Sequence, residues 1–464
     1  MIGNGPAQMV QAQHATLSLI GNTPLVPVTS FDTGPCELFL KLECQNPGGS
    51  IKDRMAVFMI DAGEASGKLQ PGGTIVEATA GNTGIGLALV AAVKGYRLIL
   101  VIPDKMSPEK IAHAKALGAD IRLTRSDVGP DHADYYQNLA ARITRETPGA
   151  YHINQFTNTA NPVAHEKTTG PEVWEQMHHD VDAIVCGVGS GGTLTGLSRY
   201  FARTQPNAEI ILADPLGSAL ADIVRTGKPG KEGSYAVEGI GGSCRPAIAD
   251  FTRISKAYSI PDGESLRTAR DLLKRTGIFA GSSTGCLLAA SLHYCQEQTS
   301  KKRVVSFVCD TGAKYLSKMY NDYWMLDQGY MERPATGTLR ELINRRYEEG
   351  AVITVSPEDT LLTAFQRMRM ADISQVPVMD DGRCVGVLDE SDVLVAVHGA
   401  PDKFHSLVRT AMTSRLETVA AGSPLDSVYD ILNRGLVALV VDGDTFAGLI
   451  TRSDFLSHLR RKLS

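Results

Sequence analysis

The feature that most constrains the fold is an alternation of short apolar runs with helical patterns, from about residue 10 to residue 330. Runs of strand length lie at 38–42, 74–77, 97–102, 121–123, 183–186, 209–213 and 304–308, and helical patterns between them include 84–94, 108–117 and 195–204. Strands that alternate with helices predict largely parallel sheets covered on both faces. The predicted fold class is therefore α/β. We expect a ligand between two such lobes, at the carboxyl ends of strands.

A duplicated segment follows once this alternation ends after Gly329. One unit runs from Ser356-Pro357 to Asp392, and a related one runs from Ser423-Pro424 to Asp454. Each has the order turn, helix, two strands and an acidic residue that opens a last helix, and such a duplication predicts a separate C-terminal α+β module. We expect a catalytic domain over 1–330, a linker over 331–346 and a module over 347–464, with repeats near 352–397 and 417–460.

Composition excludes several classes of function. A net charge of -5 over 464 residues argues against a general nucleic-acid binder. The eight cysteines include no C-x-x-C pair, so we expect reduced thiols rather than a disulfide framework or a metal site. Residues 1–20 contain no basic segment followed by an apolar run, so we expect no export signal, and the longest apolar stretch is far too short for a membrane span. The expected location is the cytoplasm.

One lysine is placed where an amine can act as a nucleophile. Lys52 follows a Pro-Gly-Gly turn and precedes a predicted helix over 54–65. The positive end of the helix dipole and a partly desolvated cleft both disfavour the ammonium form. Such a lysine suits a Schiff base with an aldehyde cofactor. A solvated lysine in a first helical turn is the plainer alternative for the residue in isolation.

Three glycine-rich turns follow predicted strands. The turn over 79–83 can hold a carboxylate on backbone N–H groups, and Asn82 can bind a cofactor hydroxyl. In the turn over 280–285, Ser283 can bind a ring nitrogen or cap a helix.

The turn over 187–193 has the spacing G-x-G-x-x-G, with Asp214 closing the next strand. This is the dinucleotide fingerprint, and an NAD-dependent oxidoreductase is the remote alternative. The hydroxyls of Ser190 and Thr193 are those a compact phosphate monoester would use. A loop of this kind at a helix N-terminus serves either ligand.

Together these motifs resemble one family. The turn ending in Lys52, the segments 79–86 and 189–193, and Ser283 are similar to those of fold-type II pyridoxal-phosphate enzymes. Within that group they resemble the cysteine synthase and cystathionine β-synthase family, as do the segments 20–25 and Asn161-Pro-x-Ala-His165. The likeness covers nearly all of residues 15–330 in motif order, and it implies a two-lobed, three-layer α/β/α catalytic domain.

The resemblance implies a role for each motif, with pyridoxal 5′-phosphate as the cofactor. Lys52 would bind the cofactor and move the Cα proton of the substrate, Asn82 would bind the pyridine 3′-oxygen and Ser283 the ring nitrogen. The residues implied to hold the phosphate are Gly189, Ser190, Gly191, Gly192 and Thr193. The residues implied to hold the substrate carboxylate are Thr79, Gly81, Thr83 and Gln155, and the loop Glu238-Gly239-Ile240-Gly241 would line the mouth.

Within the family, the resemblance implies cystathionine β-synthase chemistry, in which L-serine and L-homocysteine give cystathionine, with sulfide release from cysteine as a side reaction. The segments 238–241 and 322–326 and the duplicated module favour this branch. Ala80 and Phe156 depart from its pattern and keep a cysteine synthase type of activity as the alternative. A homodimer is implied by the likeness. No haem is expected, since His14 has no nearby cysteine.

The duplicated units resemble a Bateman module, a pair of CBS-type repeats. Such pairs imply an adenosine ligand such as S-adenosylmethionine, AMP or ATP, with the ribose held by a Thr-x-x-Asp motif. Thr451 and Asp454 fit this motif, whereas Asp389 and Asp392 fit it less well because an extra carboxylate repels a phosphate chain. We expect one competent site, and a purely structural module is an equal alternative.

Overall fold

The computed structural model describes residues 15–79, 81–104, 106–129, 131–231, 233–332 and 336–461. The chain forms two compact units, Met1–Tyr320 and Asn321–Ser464. Among the described residues, every helix is too short or too polar to cross a bilayer.

The first unit consists of strands and helices that alternate along the chain. Its strands are β1 (Leu25–Pro27), β2 (Glu37–Lys41), β3 (Thr74–Ala78), β4 (Arg97–Pro103), β5 (Asp120–Thr124), β6 (Ala150–His152), β7 (Ala183–Cys186), β8 (Glu209–Pro215), β9 (Ile254–Ile260) and β10 (Arg303–Phe307). Its α-helices are α1 (Lys52–Ala65), α2 (Asn82–Lys94), α3 (Pro108–Ala116), α4 (Tyr136–Glu146), α5 (Ala160–Ala164), α6 (Gly170–Gln176), α7 (Gly192–Thr204), α8 (Leu220–Thr226), α9 (Asp262–Thr276) and α10 (Ser282–Gln296). All seven strands expected from the sequence are present within two residues of their predicted ends.

The strands form two sheets, one in each lobe of the unit. The larger has six strands in the order β1-β2-β10-β7-β8-β9, and the smaller has four in the order β5-β4-β3-β6. Every neighbouring pair is parallel except β1 and β2. This confirms the prediction of an α/β fold with largely parallel sheets.

Helices cover both faces of the smaller sheet. On β3, Ile75 packs into a core with α1 and α2, whereas its neighbour Val76 packs into a separate core with Ala140 of α4. Side chains alternate across a strand, so consecutive apolar residues on β3 supply one core each. The sheet is therefore the middle of three layers, and glycine turns at its carboxyl edge and at that of the larger sheet lead into α2 and α7.

The second unit contains the predicted duplication. Its helices are α11 (Asp322–Asp327), α12 (Leu361–Ala371), α13 (Glu390–Val397), α14 (Tyr429–Asn433) and α15 (Arg452–Arg461). Its strands are β11 (Gln375–Asp380), β12 (Arg383–Asp389), β13 (Thr418–Ala420), β14 (Ala438–Asp442) and β15 (Thr445–Ile450). Each repeat contains an antiparallel hairpin, β11–β12 in the first and β14–β15 in the second, and a last helix follows each hairpin.

Residues outside the predicted repeats complete both of their cores. Leu339 and Ile343 precede the first repeat in the chain but pack into the core of the second, around Val440. Val408 follows the first repeat and packs into its core around Val376. Folded structure thus begins within the range expected to be a linker, and the predicted domain ends at 330 and 346 stay predictions.

Candidate active site

Lys52 is the first residue of α1 and is half-buried, and burial lowers its pKa. The other buried lysines of the region, Lys41, Lys110 and Lys314, each donate to named acceptors 2.6–3.0 Å away, with one such contact of Lys110 at 2.5 Å. None of the described residues accepts a hydrogen bond from Nζ of Lys52. Lys52 is therefore the amine that this region leaves available for chemistry.

A buried ion-pair cluster anchors the first turn of α1. Arg54 donates to Glu43 and to Glu172 at 2.7 Å each, and Lys41 donates to Glu172 at 2.7 Å. Burial opposes ionisation of Glu172, but hydrogen bonds and attraction from Arg54 and Lys41 outweigh it and lower its pKa to about 2. Because Arg54 lies two residues after Lys52, the cluster fixes the helix end that carries the amine.

The turn Gly189–Thr193 lies at the N-terminus of α7, a helix of 13 residues. Its glycine spacing is explained by packing. A Cβ on Gly189 would lie 2.3 Å from the carbonyl oxygen of Gly239, and one on Gly192 would lie 1.9 Å from Oδ1 of Asn161. Gly191 has a φ of +91°, in the left-handed region that glycine tolerates.

The dinucleotide interpretation also requires an open acidic residue at Asp214. That side chain is completely buried, and its Oδ2 accepts from the backbone N–H of Ala221 in α8 at 2.8 Å. The carboxylate is thus used to start a helix and does not face a ribose. The apparent fingerprint arises from close packing and not from nucleotide recognition.

Two buried side chains support the hydroxyls of this turn. Asn161 donates to Oγ of Ser190 at 3.0 Å, and Nε2 of His165 lies 3.3 Å from Oγ1 of Thr193. Burial, with the nearby charges of Arg54 and Lys52, lowers the pKa of His165 well below its ordinary value. The imidazole of His165 is therefore neutral, and the polar side chains that the turn itself carries are the hydroxyls of Ser190 and Thr193.

The predicted carboxylate-binding residues lie together at the start of α2. Oγ1 of Thr83 donates to Oε1 of Gln155 at 2.8 Å, and the N–H of Gly81 lies 3.3 Å from Oγ1 of Thr79. Glu77 accepts from the backbone N–H of Gln155, and burial raises its pKa to about 8. With its pKa raised to about 8, the carboxyl group of Glu77 is mostly protonated at neutral pH and adds little negative charge beside the residues predicted to bind a carboxylate.

Asn82, the first residue of α2, is held on both sides of its amide. Nδ2 donates to Oδ2 of Asp310 at 2.7 Å, and Oδ1 accepts from Nζ of Lys314 at 2.8 Å. An amide nitrogen has two hydrogens, so one N–H of Asn82 is left for a ligand.

Ser283 lies in the first turn of α10 and is buried. The cap of this helix is Gly281, and no side chain closes it, so helix capping is not the role of Ser283. Its hydroxyl lies near the thiol of Cys309, and burial raises the pKa of that thiol to about 12. Ser283 is therefore a neutral hydroxyl beside a neutral thiol.

The loop Glu238–Gly241 packs directly on the turn that precedes α7. The N–H of Gly241 donates to the carbonyl of Val188 at 2.8 Å, and Ile240 lies where a Cβ on Gly187 would be. Glu238 accepts from Lys110 at 2.5 Å and from Lys318 at 2.6 Å. The loop is thus tied to the body of the unit by ion pairs.

The sequence motifs of the second unit act as helix caps. Oδ2 of Asp454 accepts from the N–H and hydroxyl of Thr451 at 2.8 and 2.6 Å, and its Oδ1 accepts from Asn344 at 2.6 Å. Asp389 and Asp392 cap the first turn of α13 reciprocally. Any ligand at Asp454 has to compete with Asn344.

Sequence reasoning missed Asp310, Lys314 and Lys110, and it gave Asn161 and His165 no role. Asp310 and Lys314 come just after β10, and their position at the carboxyl end of a parallel strand could have indicated them. Ala80 and His14 lie outside the described residues. Within the described part of the chain, no cluster of three His, Cys, Asp or Glu side chains is placed to hold a metal.

Comparison with protein families gives two matches. The family described as "Pyridoxal-phosphate dependent enzyme" matches residues 16–310, and the CBS domain matches residues 340–399 and 408–461. These matches agree with the expected catalytic part and duplicated module.

Curated relatives extend over almost the whole chain. The cystathionine beta-synthase of Apis mellifera is 32% identical over 96% of this chain and 90% of that protein, and the one of Oryctolagus cuniculus is 33% identical over 95% and 84%. Cysteine synthase A of Escherichia coli is 40% identical over 64% of this chain and 92% of that protein.

Two solved structures share the fold of the catalytic part. A hydrogen sulfide-producing enzyme from Fusobacterium nucleatum has a TM-score of 0.61 and 34% identity, and it covers 65% of this chain and 99% of that one. An O-acetylserine dependent cystathionine beta-synthase from Helicobacter pylori has a TM-score of 0.62 and 33% identity, with 67% and 99% covered.

Proposed function

Because the chain belongs to the pyridoxal-phosphate dependent enzymes, and within them to the cystathionine β-synthase family, we propose that it condenses L-serine with L-homocysteine to cystathionine and water. The reaction class rests on one observation above all: Lys52 is half-buried, burial lowers its pKa, and no described residue accepts a hydrogen bond from its Nζ. A nucleophilic amine of this kind is what an aldehyde cofactor requires.

The residues around Lys52 fit pyridoxal 5′-phosphate. The turn Gly189–Thr193 offers backbone N–H groups and two oriented hydroxyls at a helix N-terminus, which suits a phosphate monoester. Asn82 has an N–H to give to the 3′-oxygen of the pyridine ring, and Ser283 offers a neutral hydroxyl to the ring nitrogen. A serine there does not hold the ring nitrogen protonated, which favours β-elimination over chemistry that needs a long-lived carbanion.

Substrate binding follows from the pocket at α2. Thr79, Gly81 and Thr83, with Gln155, hold the amino-acid carboxylate on hydroxyls, an amide and N–H groups at the N-terminus of a helix of 13 residues. The loop Glu238–Gly241 forms the wall of the mouth and limits the entry of water. These contacts orient the Cα–H bond toward the amine.

Lys52 carries the proton transfers. When bound, pyridoxal phosphate supplies the electron sink that stabilises negative charge at Cα of the attached amino acid. Lys52 takes the Cα proton and then gives a proton to the serine hydroxyl, which leaves as water. The thiol of homocysteine adds to the β carbon and returns a proton to Lys52, which delivers it to Cα. Hydroxide is a poor leaving group, so the acid role of Lys52 matters most with serine.

A substrate panel tests this proposal. Serine, O-acetylserine and cysteine are each supplied with homocysteine or sulfide, and kcat/KM is measured for each pair. We expect serine with homocysteine to be the best pair and cysteine to release sulfide as a slower reaction. If O-acetylserine with sulfide is faster, the chain has the alternative cysteine synthase type of activity, which the Escherichia coli relative favours. The Helicobacter pylori structure is of an O-acetylserine dependent cystathionine beta-synthase, so a fastest rate for O-acetylserine with homocysteine would keep the cystathionine product and change only the donor.

The module carries a further part of the proposal. We infer that Thr451 and Asp454 hold the ribose of an adenosine compound, S-adenosylmethionine, AMP or ATP, once Asn344 releases Oδ1 of Asp454. In the first repeat, Asp389 and Asp392 use their carboxylates to cap α13, which supports a single site. Calorimetric titration with each compound tests this. Absence of binding to all three indicates a purely structural module.

The remaining expectations are proposed with this function. All eight cysteines are free thiols, which supports a reducing, cytoplasmic location. A homodimer is proposed from the family likeness, and sedimentation tests it. We propose a catalytic domain over 1–330 and a module over 347–464 joined by 331–346, which limited proteolysis tests.

A further inference from the structure

The amide of Asn82 is fixed by two partners of opposite chemistry. A lysine ammonium can only donate hydrogen bonds, and an ionised carboxylate can only accept them. The amide atom that faces Lys314, 2.8 Å away, must therefore be the oxygen, and the atom that faces Asp310, 2.7 Å away, must be the nitrogen. If the amide turned over, Lys314 would face an N–H group and Asp310 would face a lone pair, so both partners oppose the flip.

Lys314 also joins Asn82 to the turn that carries Lys52. Its Nζ donates to the carbonyl oxygens of Gly48 and Gly49 at 2.8 and 3.2 Å as well as to Asn82. Three donors thus meet three acceptors, which is the full capacity of an ammonium group. The residue is 3% exposed, and burial lowers its pKa to about 8, so the ammonium form predominates at neutral pH.

The carboxylate of Asp310 is also held by a hydrogen bond. Its Oδ2 accepts from the hydroxyl of Tyr315 at 2.7 Å, and that hydroxyl accepts from Nζ of Lys110 at 3.0 Å. Asp310 and Tyr315 are both buried. The carboxylate is therefore set in one position before it receives the amide of Asn82.

We propose that Lys314 and Asp310 are positioning residues that fix the amide of Asn82 so that its second N–H, and not its carbonyl, faces the 3′-oxygen of the cofactor. This inference rests on the proposed role of Asn82. The 3′-oxygen carries negative charge when the ring hydroxyl is ionised, so a donor stabilises it and a lone pair repels it. Neither Lys314 nor Asp310 touches the substrate in this scheme.

A double-mutant cycle on the holoenzyme tests the proposal. The variants are Lys314→Met, Asn82→Ala and the combination, and Lys302→Met serves as a matched control because Lys302 is a partly buried lysine paired with Glu209. Equilibrium dialysis against graded pyridoxal phosphate gives the dissociation constant, the absorption spectrum reports the ring oxygen, and thermal unfolding reports stability.

We expect Lys314→Met to weaken cofactor binding about tenfold, equivalent to about 1.4 kcal/mol, and to move the visible band. Lys302→Met should leave both unchanged. In the Asn82→Ala background, Lys314→Met should add little, because no amide remains to be held.

Two results would overturn the inference in distinguishable ways. If Asn82→Ala alone leaves affinity and spectrum unchanged, the proposed role of Asn82 is wrong, and nothing remains for Lys314 to position. If Asn82→Ala changes both but Lys314→Met changes neither, or its effect adds fully in the double variant, then Lys314 only stabilises the fold and the proposed role of Asn82 stands.

Discussion

The ion-pair cluster beneath Lys52 should be a measurable source of stability, and Glu172→Gln removes one of its charges. Glu172 accepts from both Arg54 and Lys41 at 2.7 Å, and its side chain is 14% exposed. The substitution keeps the size of the side chain but leaves the two buried cations, Arg54 and Lys41, with one carboxylate, that of Glu43, instead of two. Removing one partner of a buried ion pair generally costs about 3–5 kcal/mol.

The pKa gives an independent magnitude and its sign. The pKa of Glu172 is lowered from 4.5 to about 2, and at about 1.4 kcal/mol per pKa unit the folded state gains about 3 kcal/mol from the ionised carboxylate. For a carboxyl group with a lowered pKa, this contribution is complete above the unfolded value of 4.5 and is lost as the pH falls from 4.5 to about 2. At pH 3.5, the ionised carboxylate of Glu172 still contributes about 2 kcal/mol to the free energy of unfolding.

The chain offers its own reporter for this measurement. It has two tryptophans, and Trp174 packs on Phe201 in the first unit, so a Trp324→Phe background leaves one tryptophan, whose selectively excited emission reports this unit. Urea unfolding is followed at pH 7 and at pH 3.5. Glu175→Gln is the matched control, because Glu175 lies on the same helix with its side chain 71% exposed, paired only with His179 on the surface.

We expect Glu172→Gln to lower the free energy of unfolding by about 3 kcal/mol at pH 7 and by about 2 kcal/mol at pH 3.5. Glu175→Gln should change it by less than about 0.5 kcal/mol at either pH. A loss below about 1 kcal/mol at pH 7, or a loss that does not shrink in acid, would refute the reasoning.

Three further predictions concern the cofactor turn, the module and the thiols. Asn161→Ala removes the hydrogen bond to Ser190 and should weaken pyridoxal phosphate binding about tenfold in equilibrium dialysis; an unchanged constant would show that the turn orients itself. Asn344→Ala frees Oδ1 of Asp454 and should tighten the binding of an adenosine compound in calorimetry, whereas weaker binding would make Asn344 a ligand contact. Cys244 is the exposed thiol, and burial raises the pKa of the less exposed Cys44, Cys309 and Cys384. Iodoacetamide at pH 8 should therefore label one site rapidly in the wild-type protein and none in a Cys244→Ser variant. Rapid labelling of another cysteine would contradict the burial pattern.

The alternation of apolar runs predicted the fold class because buried parallel strands are continuous apolar segments that sequence periodicity detects. In the described part of the first unit, three strands escaped this signal. β1 and β6 have three residues each, too few for a period, and β9 carries lysine and serine along an edge of the sheet. Their pairing is set by the tertiary structure rather than by their own composition.

Candidate site residues could be identified from the sequence where they lie together in one short motif. Lys52 and the turn over 189–193 are such motifs. The partners of Asn82 could not be identified in this way, because Asp310 and Lys314 come from a segment more than two hundred residues away, and only the fold brings them to its amide. The glycine spacing around Gly189 kept a dinucleotide enzyme as the remote alternative, because a sequence does not show which neighbour requires a glycine.

The central claim is that Lys52 carries the cofactor, and reduction of the holoenzyme with borohydride tests it most directly. Reduction turns the imine into a stable secondary amine, and mass analysis of the digested protein locates it. The account predicts one pyridoxyl adduct per chain, on the peptide that contains Lys52, and none in a Lys52→Ala variant. An adduct on Lys110 or Lys314, or no adduct in a yellow wild-type protein, would contradict it.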